Sequence, residues 1–228
     1  MGPGMFSHDR LVILDADGTT IDAFRAIATT FQRHDLEIGD LERFQKRHNL
    51  FKYLGGVKEL PGNLRKQFSR ARRSRVVSTL TEVYREEAVL FPGMAELLRD
   101  LIERSDVRVG IITRNITNEP EQTLARLFER EGVEPKSLDF LMHLPLKQGK
   151  QKLFDAVRRR FQVNPARCLV CGDEHKDYAA ALASGMHPMI VSYGFENHTR
   201  LTEKFEVPEV LISGTPGELQ QRLRNALV

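Results

Sequence analysis

Short apolar runs that alternate with stretches of helical period constrain this chain more than any other feature. Residues 11–14, 107–112, 168–171, 189–191 and 210–212 form such runs, and none alternates polar with apolar side chains. Strands of that kind are covered on both faces, which means a parallel sheet between helical layers, an α/β fold. Helices fit between them. Asn118 can cap one, with Pro120 in its first turn, Leu124, Leu127 and Phe128 as its stripe, and Gly132 as its stop. Residues 150–161 carry Leu153, Phe154, Val157 and Phe161 at helical spacing. A last helix follows Pro216-Gly217 with Leu219, Leu223 and Leu227.

The alternation breaks once. From about residue 22 to 90 no strand pattern is present, only helical segments such as the stripe Phe24, Ile27, Ala28 and Phe31, punctuated by Gly55-Gly56 and Pro61-Gly62. Phe91-Pro92-Gly93 marks the return. The chain's 228 residues exceed one typical domain of roughly 150, as an inserted segment requires. The expected division is a core of residues 1–21 and 91–228 with a helical cap at 22–90.

Several classes are excluded. No apolar run approaches the roughly 20 residues of a bilayer span, and Met1-Gly2-Pro3-Gly4-Met5 leads into a polar stretch rather than a signal peptide. Phe6 stands where myristoylation wants Ser or Thr. The two cysteines, Cys168 and Cys171, spell C-x-x-C. On a buried strand, residues three apart point to opposite faces and cannot chelate together, so they read as core thiols of a cytoplasmic protein.

The net charge of +3 is unevenly spread. Residues 41–75 hold eleven Lys or Arg (Arg43, Lys46, Arg47, Lys52, Lys58, Arg65, Lys66, Arg70, Arg72, Arg73, Arg75) against Glu42 and Glu59. That block is either a surface for anionic ligands or a solvated helical face. Phe44, Phe51, Tyr53 and Phe68 interleave with it and read as core rather than as stacking platforms.

The chemistry lies at the strand ends. The first strand runs into Asp15-Ala16-Asp17-Gly18-Thr19, the second into Thr113-Arg114-Asn115, and the third into Gly172-Asp173-Glu174-His175-Lys176-Asp177. Lys147-Gln148-Gly149-Lys150 precedes the helix that feeds the third. Open α/β sheets place ligands at that rim. Carboxylates of Asp15, Asp17 and Asp173 around one spot would bind a hard dication, most naturally Mg²⁺. A carboxylate in line can attack phosphorus, and a second can protonate the leaving oxygen and later deprotonate water. His175 reads as a loop residue facing solvent, with contact to substrate or metal-bound water as the functional alternative.

These four motifs, in this order, resemble the haloacid dehalogenase superfamily, in particular its helical-cap phosphatases of the phosphoglycolate phosphatase type. Phe91-Pro92-Gly93-Met94 and the run from Ala179 to Met186 match the flanks. The resemblance implies a Rossmann-like core with an inserted cap, and Mg²⁺-dependent hydrolysis of a phosphomonoester. It makes Asp15 nucleophile and metal ligand, and Asp17 the acid/base, lending its backbone carbonyl to the metal. Thr113 would hold phosphoryl oxygens, with Arg114 and Asn115 beside the substrate. Asp173 would complete the metal site, supported by Asp177 or Glu174. The motif lysine is Lys147 or Lys150, with the weight on Lys147. Thr20 and the inserted Arg114 depart from the family pattern. True dehalogenases lack an acid at Asp17, which points to the phosphatase branch. A small phosphorylated metabolite is the expected partner, without membrane and with nucleic acid disfavoured; no oligomeric state is set. The rivals are a phosphomutase on the same fold and a nucleic-acid or anion-binding protein with a vestigial site.

Overall fold

A computed structural model describes residues 6–35 and 70–228. Its six strands are β1 (Arg10–Leu14), β2 (Val107–Thr113), β3 (Phe140–His143), β4 (Cys168–Gly172), β5 (His187–Val191) and β6 (Ile212–Ser213). Every pairing is parallel, in the order β3-β2-β1-β4-β5-β6. This is the doubly wound, Rossmann-like arrangement, and its order reverses between β1 and β4.

Alternating side chains explain the layering. From β1, Val12 and Leu14 pack with α1 (Ala23–Gln32), α2 (Arg70–Glu86), α3 (Met94–Glu103), α4 (Pro120–Arg130) and α7 (Pro216–Ala226). Leu11 and Ile13 enter the opposite core with α5 (Gln151–Arg160) and α6 (His175–Ala183). Both faces are covered by apolar side chains, so the strands read as continuous apolar runs. Cys168 and Cys171 are buried, free, and divided between the two cores, as their spacing predicts. Burial pushes the Cys168 thiol up to about 12 and the Cys171 thiol up as well, which leaves both inert.

The helical stripes hold: Phe24, Ile27 and Phe31 on α1 and Leu124, Leu127 and Phe128 on α4 are buried. Three details differ from the sequence reading. The cap position of α4 is Glu119, left-handed at φ 48°, while the Asn118 carbonyl accepts from the Thr123 hydroxyl. The run at 210–212 is mostly a 3-10 turn (Glu209–Leu211) set up by Pro208, and β6 starts at Ile212. The short edge strand β3 adds to β2, with Gly110 opposite Phe140.

The segment after β1 leaves and rejoins the sheet at one place. The Asp22 N–H donates to the Val89 carbonyl at 3.0 Å, and the Phe91 N–H to the Thr20 carbonyl at 3.0 Å. Of the basic block, Arg43, Lys46, Arg47, Lys52, Lys58, Arg65 and Lys66 lie outside the described residues, as do Phe44, Phe51, Tyr53 and Phe68. Among the described residues no helix is long and apolar enough to cross a membrane.

Candidate active site

The crevice at the β1/β4 reversal collects the charged side chains. Asp15 follows β1, its N–H donating to the Cys171 carbonyl of β4 at 2.9 Å. The chain then turns sharply: the Thr20 and Ile21 N–H groups both return to the Ala16 carbonyl, at 2.9 and 2.8 Å. Gly18 makes this turn at φ 80°, and a Cβ there would sit 2.3 Å from Asp173 Oδ2. Thr20, an apparent departure from the family, is fully buried and donates its hydroxyl to the Asp15 carbonyl at 2.7 Å. The hydroxyl replaces an aliphatic side chain without leaving a polar atom unpaired.

Lys150, at the head of α5, is 4% exposed and lies 2.8 Å from both Asp15 Oδ1 and Asp177 Oδ1. Lys147 is exposed. Of the two lysines it is Lys150, not the favoured Lys147, that meets Asp15, because the start of α5 turns it inward three residues later. Asp177 comes from the first turn of α6, where it and Glu174 cap the helix reciprocally. Gly172 lets Asp177 approach, since a Cβ there would lie 2.4 Å from the Asp177 Cβ.

Asp15, Asp173 and Asp177 bring carboxylate oxygens within 4.8 Å of one another. Asp173 Oδ2 accepts from the Phe195 N–H at 2.6 Å, whereas Asp173 Oδ1 is buried with no hydrogen-bond partner among the described residues. Burial, then the charges of Asp15, Glu174 and Asp177, push the Asp173 carboxyl well above its usual range. Burial likewise raises Asp15 to about 7, against the pull of Lys150. Lys150 is itself raised: burial opposes its charge, but Asp15 and Asp177 outweigh it. The three carboxylates thus crowd negative charge at one spot, with Lys150 as counter-charge to two of them. All-oxygen donors, one of them orphaned, fit a hard dication.

Asp17 lies elsewhere: its carboxylate is not among the three that converge, those of Asp15, Asp173 and Asp177. The tight turn aims Asp17 at β2, where Asn115 Nδ2 donates to Oδ1 at 3.1 Å and Oδ2 at 2.9 Å. The Tyr84 hydroxyl donates to Oδ1 at 2.6 Å from the last turn of α2. Burial raises the Asp17 carboxyl, and these two donors oppose the rise. Thr113 is fully buried, its hydroxyl oxygen accepting from the Asn115 N–H at 3.1 Å. Arg114 pairs with Glu174, close enough to Asp177, Asp15 and Asp173 for their charges to act on it.

Sequence reasoning missed Tyr84, which sits in an apolar stripe 67 residues from Asp17 and carries no local mark of function. It also missed the 193–196 loop, whose Phe195 amide holds Asp173. His175 neither faces solvent freely nor joins the carboxylates. It bonds the fully buried Glu196 through Nδ1 at 2.8 Å and stacks on Phe205, ring centroids 3.6 Å apart.

The haloacid dehalogenase-like hydrolase family model matches residues 10–185. A phosphoglycolate phosphatase of Synechococcus elongatus is 30% identical over 132 residues, 58% of this chain and 58% of that protein. One from Pseudomonas putida is 27% identical over 214 residues, 89% of this chain and 76% of that protein. A haloacid dehalogenase-like protein from Streptococcus pneumoniae superposes with a TM-score of 0.62 at 18% identity, covering 95% of this chain and 99% of that one. A phosphatase-class structure from Clostridium difficile gives 0.66 at 17% identity, covering 94% and 98%; at such identities the likeness concerns the fold alone. With the family match spanning most of the chain, the chain belongs to the haloacid dehalogenase-like hydrolases.

Proposed function

We propose that this enzyme hydrolyses small phosphomonoesters through an aspartyl phosphate on Asp15, with a divalent cation, Mg²⁺, as cofactor. The observation that carries the reading is the buried contact of Lys150 with Asp15, set beside a second carboxyl, Asp17, held apart by its own donors. Two carboxyls in different environments are what a nucleophile and an acid/base require.

Asp15, Asp173 and Asp177 would hold the cation, which when bound neutralises phosphoryl oxygens and lowers the repulsion felt by an attacking carboxylate. Lys150 and the Ala16 N–H fix Asp15 Oδ1 at 2.8 and 2.9 Å, leaving Oδ2 to attack phosphorus. The bond from phosphorus to the ester oxygen breaks, and that oxygen takes a proton from Asp17. Water then attacks the phosphorus, Asp17 recovers the proton, and the bond to Asp15 breaks to release phosphate. Thr113 would donate its hydroxyl to a phosphoryl oxygen, with Asn115 steadying Asp17 and Arg114 flanking the substrate. Residues 22–90 would act as the cap over a core of 1–21 and 91–228, a division supported by the paired backbone bonds at its two ends. Small phosphorylated acids such as phosphoglycolate lead the candidate substrates, on the strength of the relatives' names.

The test is phosphate release from a panel of phosphomonoesters with Mg²⁺ and with EDTA. Release that requires the cation supports the reading. Absence of release from every ester contradicts it, and interconversion of sugar phosphates with little free phosphate would favour a phosphomutase.

A pH dependence follows from Asp15. With its carboxyl raised to about 7, the proton must leave before the oxygen can bind a cation. Apparent Mg²⁺ affinity is expected to rise with pH as the raised carboxyls of Asp15 and Asp173 lose their protons. Thermal melting with and without Mg²⁺ across pH 5.5–8.5 measures this; a cation-induced stabilisation independent of pH would contradict it.

A further inference from the structure

Among the described residues, the Tyr84 hydroxyl is the one donor to Asp17 that comes from the segment between β1 and its return to the sheet. Tyr84 is fully buried, and its oxygen lies 2.6 Å from Asp17 Oδ1. A buried phenol needs a partner, but a carbonyl would have served as well. Here the partner is a carboxylate that already receives two bonds from Asn115 Nδ2. Asn115 is in turn fixed, because its Oδ1 accepts from the Thr117 N–H at 2.9 Å and from the Thr117 hydroxyl. The carboxyl of Asp17 is therefore set in one orientation by two supports, one in the loop after β2 and one on α2.

The end of α2 is itself anchored to the loop that carries Asn115. One turn before Tyr84, the Thr81 hydroxyl oxygen accepts from the Asn118 N–H at 2.8 Å. One residue after it, Arg85 donates from Nε to the Thr123 hydroxyl at 3.1 Å and pairs with Glu119 at 3.1 Å. Arg130 of α4 caps the Arg85 carbonyl at 2.7 Å. Four contacts on either side of Tyr84 thus fix the end of α2 against the loop after β2 and against α4.

We propose that Tyr84 is a positioning residue for Asp17, holding the carboxyl in the orientation from which it protonates the leaving oxygen of poor leaving groups. The inference rests on the phosphatase reading above and names a substrate class within it, the alkyl phosphates. An alkoxide cannot depart without a proton, whereas p-nitrophenolate can. A misplaced Asp17 therefore penalises alkyl esters and spares aryl ones.

The test compares kcat/KM for an alkyl phosphate, the best of the panel, and for p-nitrophenyl phosphate, in the native chain and in Tyr84→Phe. The substitution removes one oxygen and keeps the ring that fills the core. The alkyl ester is expected to lose about ten- to hundredfold in kcat/KM, chiefly in kcat, and the aryl ester less than about threefold. Because both rates come from one preparation, their ratio is unaffected by the fraction of chain that folds. An equal loss for both esters, or no loss for either, overturns the role of Tyr84 while leaving the phosphatase reading in place. If the native chain hydrolyses neither ester, the activity reading fails, and Asp17 has no leaving group for Tyr84 to position it against.

Discussion

Asp15→Asn is expected to lower phosphate release by on the order of 10³-fold or more, with the fold intact. The amide keeps the shape of the side chain and can still accept from the Ala16 N–H, which bonds Asp15 Oδ1 at 2.9 Å. It is, however, too weak a nucleophile to form the acyl phosphate. It also removes one charge from a spot where three carboxylates crowd together, so the variant is expected to melt no lower than the native chain in EDTA. Circular dichroism and phosphate release together separate loss of chemistry from loss of structure. Retention of more than about a tenth of the native rate would show that Asp15 is not the nucleophile.

Lys150→Met is the second large effect. Its ammonium is the described cation in direct contact with both Asp15 and Asp177. Without it, a phosphoryl group and the attacking carboxylate meet with less compensation, and activity is expected to fall by about 10²- to 10³-fold. Lys147→Met, at an exposed position, is expected to stay within about twofold of native. The stability of Lys150→Met carries a sign as well. Removing the cation raises the Asp15 carboxyl beyond its already elevated value of about 7. The folded variant then binds more protons than the unfolded chain above the usual carboxylate range, so its stability falls as pH rises from about 5 to 8. Melting across that window measures it; a Lys147 variant that loses activity in place of Lys150 would reverse the assignment.

The parts legible in sequence were those written locally. Asp15 and Asp173 stand at the ends of strands whose apolar runs are continuous, so both strand and carboxylate could be read from a few neighbouring residues. The burial of Cys168 and Cys171 in opposite cores followed from strand period alone. What was missed depends on distance or on a turn. β3 is a four-residue edge strand that follows Asp139 and ends in His143, too short to show a period. Asp17 looked like a partner of Asp15 because they lie two residues apart. That rule holds within a strand, and the chain has already left β1 at Leu14 and turned at Gly18. Lys147 and Lys150 differ only in where α5 begins, a boundary that sequence places less well than the helix itself. Tyr84 was hidden because a tyrosine among Val76, Leu80 and Val83 reads as core, and it is core apart from one oxygen.

The central claim is that phosphoryl transfer passes through the Asp15 carboxylate. Turnover of the best substrate can be quenched and the chain reduced with borohydride, which converts an acyl phosphate, but not a free carboxylate, to an alcohol. Peptide mass spectrometry is then expected to find homoserine at position 15, dependent on substrate and absent in Asp15→Asn. Substrate-dependent reduction at another carboxylate, or none during active turnover, would contradict the account.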